Sequence, residues 1–511
     1  MPDQISVTFL GTAAGKPSQT RNVSSLVVKL DSKLWVFDAG EGTQHQLMDP
    51  RCKLQMGKIS KIFVTHMHAD HVNGLPGLLC TISAGEGSVL PGQEDPRVEE
   101  AKEVPPTQIY GPHGLRLFLR HALSLTHSVL SRPYVVHELL WPDEQPSAQG
   151  EGEMHPSERR GRDVVMQEGD GGEGGWRDFV GEEEDGGLGV RVSAAPILHT
   201  IRCIGYLLLE SPRPLPILPH LYIPHLKSPQ NAAALAAQGV KNPLTLLSRL
   251  QSERQEIALA DGTVLRPPGV DPRGGRRIAI LGDTYDAGPM LPLLLSPGSS
   301  TATEAPEWAE RLFPPSSCSS SSSSATATAT APPPSDYLDL LIHESTNVYL
   351  PTLDESHSPL KPSPASLESV TALARDHGHS TPQVAGSFAR RARARRVVLN
   401  HLSTKYPDPT SERLAALREG DDDARERREK WGAMLREIER QAGEELVSEG
   451  GARELEGEKA GEGGGWRVRT ARDFWEVEVV RRDKIGGGKG AEAEGKGGKA
   501  AGGEKGKEGK K

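Results

Sequence analysis

The sequence predicts an α/β fold with sheet packed under helices, and three observations carry that prediction. Short strand signals crowd the start of the chain, later strands alternate with helix-like stretches, and polar tracts separate them. Residues 5–10, 25–30 and 34–38 are rich in Val, Leu and Phe, and Gly11, Gly15, Gly40 and Gly42 punctuate them. Residues 61–65 read as a buried strand that runs straight into a histidine cluster. Further strands are expected at 108–110, 190–195, 205–209, 277–281, 337–342, 396–399 and within 466–482. Helices are expected at 114–124, 364–376, 381–395 and 411–418.

Composition limits how much of the 511-residue chain can pack. Only 36% of residues are hydrophobic and 5% aromatic, against 56 Gly and 40 Pro, so a folded part of about 300 residues is expected. One domain over 1–483 is the reading, with a Gly/Lys tail over 484–511. Residues 85–104, 143–187, 297–335 and 419–465 read as low-complexity insertions, disordered apart from a charged helical start to the last.

The net charge of −9 is unevenly spread. Residues 143–187 hold 14 acidic and 4 basic side chains, and 484–511 hold 8 Lys and 4 Glu. Without those two segments the remainder sums to −9 + 10 − 4 = −3, which neither demands nor excludes a nucleic-acid face. Cys52, Cys80, Cys203 and Cys318 are far apart, so a disulfide framework or a cysteine zinc finger is not expected. Neither a secretory signal nor an apolar run of membrane-spanning length is visible. An intracellular protein is expected, nuclear or cytosolic, with an organelle left open.

Chemistry concentrates at Thr65-His66-Met67-His68-Ala69-Asp70-His71. His66 and His68 alternate at a strand's exit, so both imidazoles can point the same way. Asp70 and His71 follow where a helix could begin. Imidazole nitrogen and carboxylate oxygen suit zinc, and four such residues within six positions announce a metal-dependent hydrolase.

This HxHxDH pattern resembles the metallo-β-lactamase superfamily, which implies a four-layer αβ/βα sandwich with metals at the strand ends. Other blocks narrow the resemblance: Gly11-Thr12-Ala13-Ala14-Gly15, Arg21-Asn22-Val23-Ser24-Ser25, Phe37-Asp38-Ala39-Gly40-Glu41-Gly42-Thr43, and Gly74-Leu75-Pro76-Gly77. Pro196-Ile197-Leu198-His199, Gly282-Asp283-Thr284, His343-Glu344-Ser345-Thr346, His379-Ser380-Thr381 and His401-Leu402-Ser403 follow in order. The ordered series is similar to the short form of tRNase Z, the endonuclease that removes 3′ trailers from precursor tRNA. The resemblance implies two zinc ions per subunit. His66, His68 and His199 would hold one; Asp70, His71 and His401 the other; and Asp283 would bridge them. Two such ions activate water and neutralise charge building on a phosphodiester. By itself, Asp283 could equally be a turn aspartate.

The resemblance also implies catalytic roles. Asp70 would orient the attacking water or accept its proton, and His379, backed by Glu344, would protonate the departing 3′ oxygen. His379 could instead be a polar helix-start residue, and His343 a structural one. Arg21, Asn22 and Lys405 are candidates for contacting RNA. An arm over about 211–250, carrying Lys227, Lys241 and Arg249, would grip the tRNA, or else be a plain surface excursion. A homodimer follows by analogy. The competing reading is a small-molecule phosphodiesterase or arylsulfatase-like hydrolase on the same fold.

Overall fold

A computed structural model describes residues 2–83, 104–147, 154–167, 174–181, 187–271, 273–295, 337–351, 353, 366–412, 422–447 and 467–481. The expected insertions 85–104 (but for 104) and 297–335, the helix expected over 411–418 beyond residue 412, and the tail 484–511 lie outside those residues. Two sheets face each other. The first contains β1 (Ile5–Gly11), β2 (Ser25–Leu30), β3 (Lys33–Phe37), β4 (Ile59–Phe63), β5 (Thr107–Pro112), β6 (Tyr134–Leu140), β7 (Glu158–Arg159) and β8 (Asp163–Val165). The second contains β9 (Trp176–Val180), β10 (Val190–Ile197) and β11 (Cys203–Glu210). A separate two-stranded ribbon is made by β12 (Ile257–Ala258) and β13 (Val264–Leu265). The second sheet then continues through β14 (Arg277–Ile280), β15 (Leu340–Glu344), β16 (Val397–Asn400) and β17 (Val468–Thr470), and β18 (Glu476–Glu478) returns to the edge of the first.

Period-2 alternation separates the layers. Ile278, Ile280, Leu340 and Ile342 point into the space between the sheets, whereas Ala279 and Leu341 point to the helices beyond. The inter-sheet core is aromatic at its centre. Phe63 lies 4.7 Å from Phe37, 5.2 Å from Tyr110 and 5.4 Å from Tyr206, ring centre to ring centre. Outside the first sheet, Leu47, Leu75, Leu78, Leu115 and Leu119 close a second core. Outside the second, Phe388, Met434 and Ile438 close a third. Helix, sheet, sheet, helix is the four-layer sandwich that the histidine motif implied.

Three expectations change. Residues 143–187, read as an insertion, contribute three strands, and Trp176 is 1% exposed against Trp141. Their Gly and acidic content masked the few apolar residues that bind them to the sheets. The closing segment 466–482 is not one strand but two, β17 and β18, one on each sheet. The arm extends past 250: Pro214 bridges Val270 at its root, and it holds helices Pro219–Leu226, Pro229–Ala237 and Thr245–Ser252 before the β12–β13 ribbon. The helix expected at the start of 419–465 is present as Asp422–Leu446, and the strand Tyr134–Leu140 is an addition. No helix among the described residues is long and apolar enough to cross a membrane.

Phe63→Ala is expected to cost about 3–5 kcal/mol, because the aromatic cluster cannot collapse into the void. Met48→Ala, at a position 62% exposed, should cost under about 0.5 kcal/mol. Chemical denaturation of both variants checks the contrast.

Candidate metal centre

The centre forms where the strands end. β4 delivers His66 and His68, and the short helix Ala69–Val72 turns Asp70 and His71 back toward them. The loop after β10 supplies His199, β14 leads to Asp283, and β16 leads to His401. Close backbone approach makes the turn possible: a Cβ on Gly40 would lie 2.2 Å from the Asp70 carbonyl oxygen, so only glycine fits.

Two groups result. Ligand-type atoms of His66, His68, His199 and Asp283 all lie within 4.8 Å of one another, as do those of Asp70, His71 and His401. His68 Nδ1 stands 3.1 Å from the Nε2 atoms of both His66 and His199, and His71 Nε2 is 3.3 Å from His401 Nε2. Asp283 faces both groups. Its Oδ2 is 3.8 Å from His66 Nε2 and 4.0 Å from His199 Nε2, while its Oδ1 is 3.5 Å from His71 Nε2.

The outward nitrogens fix which atoms point inward as lone pairs. His199 Nδ1 donates to the Gly378 carbonyl at 2.7 Å, and His71 Nδ1 to Asp38 Oδ2 at 2.7 Å. In the neutral rings, Nε2 is then an acceptor aimed at other acceptors, an arrangement a cation satisfies. Nitrogens bonded tetrahedrally to zinc at about 2.0–2.1 Å stand about 3.3–3.4 Å apart, and the separations here are close to that. The donor set fits a metal ion.

Electrostatics favours the neutral ring at His66, His68 and His199, but not at His71. Burial, with the charges of neighbouring imidazoles, holds His66 well below the ordinary imidazole range, and burial also depresses His68 and His199. Burial acts the same way on His71, but Asp283 and Asp38 outweigh it and raise that ring well above the range. Burial would raise Asp70 and Asp283. Instead, the hydrogen bond from His401 and the charges of His71 and His401 hold Asp70 low, and the charges of His401 and His71 hold Asp283 low.

Beside the two groups, Glu344 is 1% exposed and forms a hub. Its Oε1 accepts from the backbone N–H of Thr284 (3.1 Å) and Ser380 (3.0 Å) and from His379 Nδ1 (3.1 Å). Burial lowers His379, but Glu344 overcomes it through that bond and its charge, and lifts the imidazole to about 9. His343, next in the chain, is fully buried on the other side of the strand against Phe388, which is a structural position.

The RNA-facing candidates divide. Lys405 is exposed. Arg21 is not at the surface: it is 0% exposed and donates to the carbonyls of Tyr406 (3.0 Å) and Ala471 (2.6 Å) and to Thr12 Oγ1 (2.8 Å). Its guanidinium pins three segments together, because buried carbonyls need donors that no ladder supplies. Asn22 is 8% exposed, and its side chain donates to the Glu41 carbonyl at 3.0 Å. Sequence reasoning missed Asp38, which is 4% exposed and accepts from His71 Nδ1, the Thr65 N–H (2.7 Å) and Thr65 Oγ1 (2.8 Å). Its signal was the Phe37-Asp38-Ala39-Gly40 block, read for kinship and not for chemistry.

Sandwich and centre together define a hydrolase of the metallo-β-lactamase fold. A family profile described as Anti-Pycsar protein Apyc1 matches residues 5–84. The human zinc phosphodiesterase ELAC protein 1 is 33% identical over 427 residues, 82% of this chain and 90% of that protein. Ribonuclease BN of Cronobacter sakazakii is 31% identical over 418 residues, covering 80% of this chain and 93% of that one. A crystal structure of human tRNase Z, short form, aligns over 93% of this chain and all of its own, with 25% identity and a TM-score of 0.45. The chain belongs to the short-form tRNase Z family.

Asp38→Asn is expected to weaken divalent-metal binding about 10–100-fold, since the partner that orients a ligand imidazole matters nearly as much as the ligand. Metal titration of chelator-treated protein, with circular dichroism as control for folding, measures it.

Proposed function

We propose that this enzyme is a zinc-dependent endoribonuclease that removes the 3′ trailer from precursor tRNA. Hydrolysis of the phosphodiester would leave a 3′-hydroxyl on the tRNA and a 5′-phosphorylated trailer. The observation that carries this reading is the pair of groups meeting at Asp283, with an imidazole on a buried carboxylate beside them. Kinship with proteins named zinc phosphodiesterase and ribonuclease BN supports it.

His66, His68 and His199 would hold one zinc and Asp70, His71 and His401 the other, with Asp283 shared. Two such ions supply activated water and neutralise charge on a phosphodiester. The protein's own groups divide the remaining work. The Asp70 side chain is 10% exposed and held as a carboxylate, which suits it to take a proton from the attacking water. The His379 side chain is 19% exposed, more than those of Asp70 and Glu344, and carries a proton at neutral pH. It is the donor for the leaving 3′ oxygen, and Glu344 holds Nδ1 so that Nε2 is free to deliver it.

Lys405 and the arm's exposed Lys227 and Lys241 offer phosphate contacts, whereas Arg249 and Arg266 lie 3.2 Å and 3.3 Å from Glu253 and Glu256. The arm would grip the body of the tRNA, and a homodimer would let one subunit's arm serve the other's centre.

Incubation with labelled precursor tRNA should give one product ending in a 3′-hydroxyl at the trailer junction, and Asp70→Ala should lower the rate by at least about 100-fold. Replacing 215–269 by a short Gly/Ser linker should spare hydrolysis of bis(p-nitrophenyl) phosphate and abolish precursor cleavage. If the intact protein cleaves that ester but never the precursor, the small-molecule phosphodiesterase reading replaces this one.

A further inference from the structure

We infer that Thr346 is a positioning residue that holds one metal ligand, His401, in its binding tautomer and couples it to the same carboxylate that serves His379. The inference rests on the two-ion reading above, and no role for Thr346 follows from the ligand set itself.

Thr346 is 7% exposed and sits on the loop just after β15. Its hydroxyl oxygen lies 2.8 Å from Glu344 Oε2, 2.9 Å from the His401 carbonyl oxygen and 3.0 Å from His401 Nδ1, with His379 Nδ1, already bonded to Glu344 Oε1 at 3.1 Å, farther off at 3.4 Å. A hydroxyl has one proton and two lone pairs. Both oxygen neighbours can only accept while Glu344 is a carboxylate, and the Thr346 N–H already donates to Glu344 Oε2 at 3.0 Å. The hydroxyl proton therefore goes to an oxygen, and a lone pair is left facing His401. For that contact to be a hydrogen bond, His401 Nδ1 must carry the proton. With a metal bound, its Nε2 would then present the lone pair to the group it shares with His71 Nε2 (3.3 Å) and Asp70 Oδ2 (3.2 Å), in place of the N–H that otherwise bonds to Asp70.

The two oxygens of Glu344 thus serve different ends. Oε1 holds His379, and Oε2 holds His401 through Thr346. A second acceptor competes for the same proton: Asp283 Oδ1 is 3.3 Å from His401 Nδ1. Thr346 is the nearer at 3.0 Å, and Asp283 would be committed to the metals.

The deciding variants are Thr346→Val, which keeps the shape and removes the hydroxyl, and Thr346→Ser, which keeps the hydroxyl. Full-length protein stripped with chelator would be titrated with zinc by calorimetry, with bound metal counted by mass spectrometry and melting followed alongside. Wild type should bind two ions. Thr346→Val should keep one at wild-type affinity and bind the other about 10–100-fold more weakly, while Thr346→Ser stays within a few-fold of wild type for both. Wild-type affinity for both ions in Thr346→Val would overturn the inference and give the tautomer to Asp283. Equal weakening of both ions, or a serine variant as damaged as the valine one, would also overturn it, by placing the effect in packing. A wild type that binds fewer than two ions would instead defeat the two-ion reading itself, and with it the basis for assigning Thr346.

Discussion

Mutual repulsion among acceptors is the constraint on which the rest of this structure depends. Imidazole nitrogens of His66, His68, His199, His71 and His401 converge with Asp70 and Asp283, with His68, His199 and Asp70 part-exposed and the rest buried. Lone pairs packed 3.1–3.3 Å apart are unfavourable without a cation, and an isolated buried carboxylate costs several kcal/mol. Only a scaffold that fixes rings from behind, as Gly378 does His199 and Asp38 does His71, can hold such donors in register.

The sandwich supplies that scaffold symmetrically. Each sheet sends one buried carboxylate to the back of the centre. Asp38, at the end of β3, ties Thr65 and His71 of the first sheet. Glu344, at the end of β15, ties Thr284, Thr346, His379 and Ser380 of the second. Asp283 lies where the two sets meet, and each of its oxygens faces residues of both sheets: Oδ1 faces His71 and His401, and Oδ2 faces His66 and His199. The aromatic core beneath sets the spacing of the sheets, and Tyr206 Oη donates to the Val64 carbonyl at 2.6 Å, two residues before His66. Packing and chemistry are therefore one problem here: a shift between the sheets is a shift between the two halves of the metal centre.

The sequence revealed the parts of this arrangement that are local. Four ligand-type residues at a strand's exit need no tertiary information, and alternating Val, Leu and Ile runs at 5–10, 277–281 and 337–342 read directly as buried strands. What stayed hidden depends on partners far away in the chain. Nothing near Arg21 tells that its guanidinium ends on carbonyls at 406 and 471. Trp176 sits in an acidic, Gly-rich tract, and its value to the fold comes from Trp141 and Leu140, not from its neighbours. The split of the last segment between two sheets is similarly invisible, since β17 and β18 are short and are defined by what they pair with.

The arm shows why local reading stops short even where a motif is recognised. Leu226, Leu235, Leu246, Leu250, Leu259 and Leu265 pack into a core separate from those of the sandwich. The last two come from beyond the expected boundary at 250: the four leucines on the three short helices are closed over by Leu259 and Leu265 of the β12–β13 ribbon segment. Such a unit, joined at its root by the Pro214–Val270 bridge, can change its surface without disturbing the metal centre. The arm's exposed Lys227 and Lys241 therefore sit on a unit with its own core, apart from the sheets that bring the candidate metal ligands together.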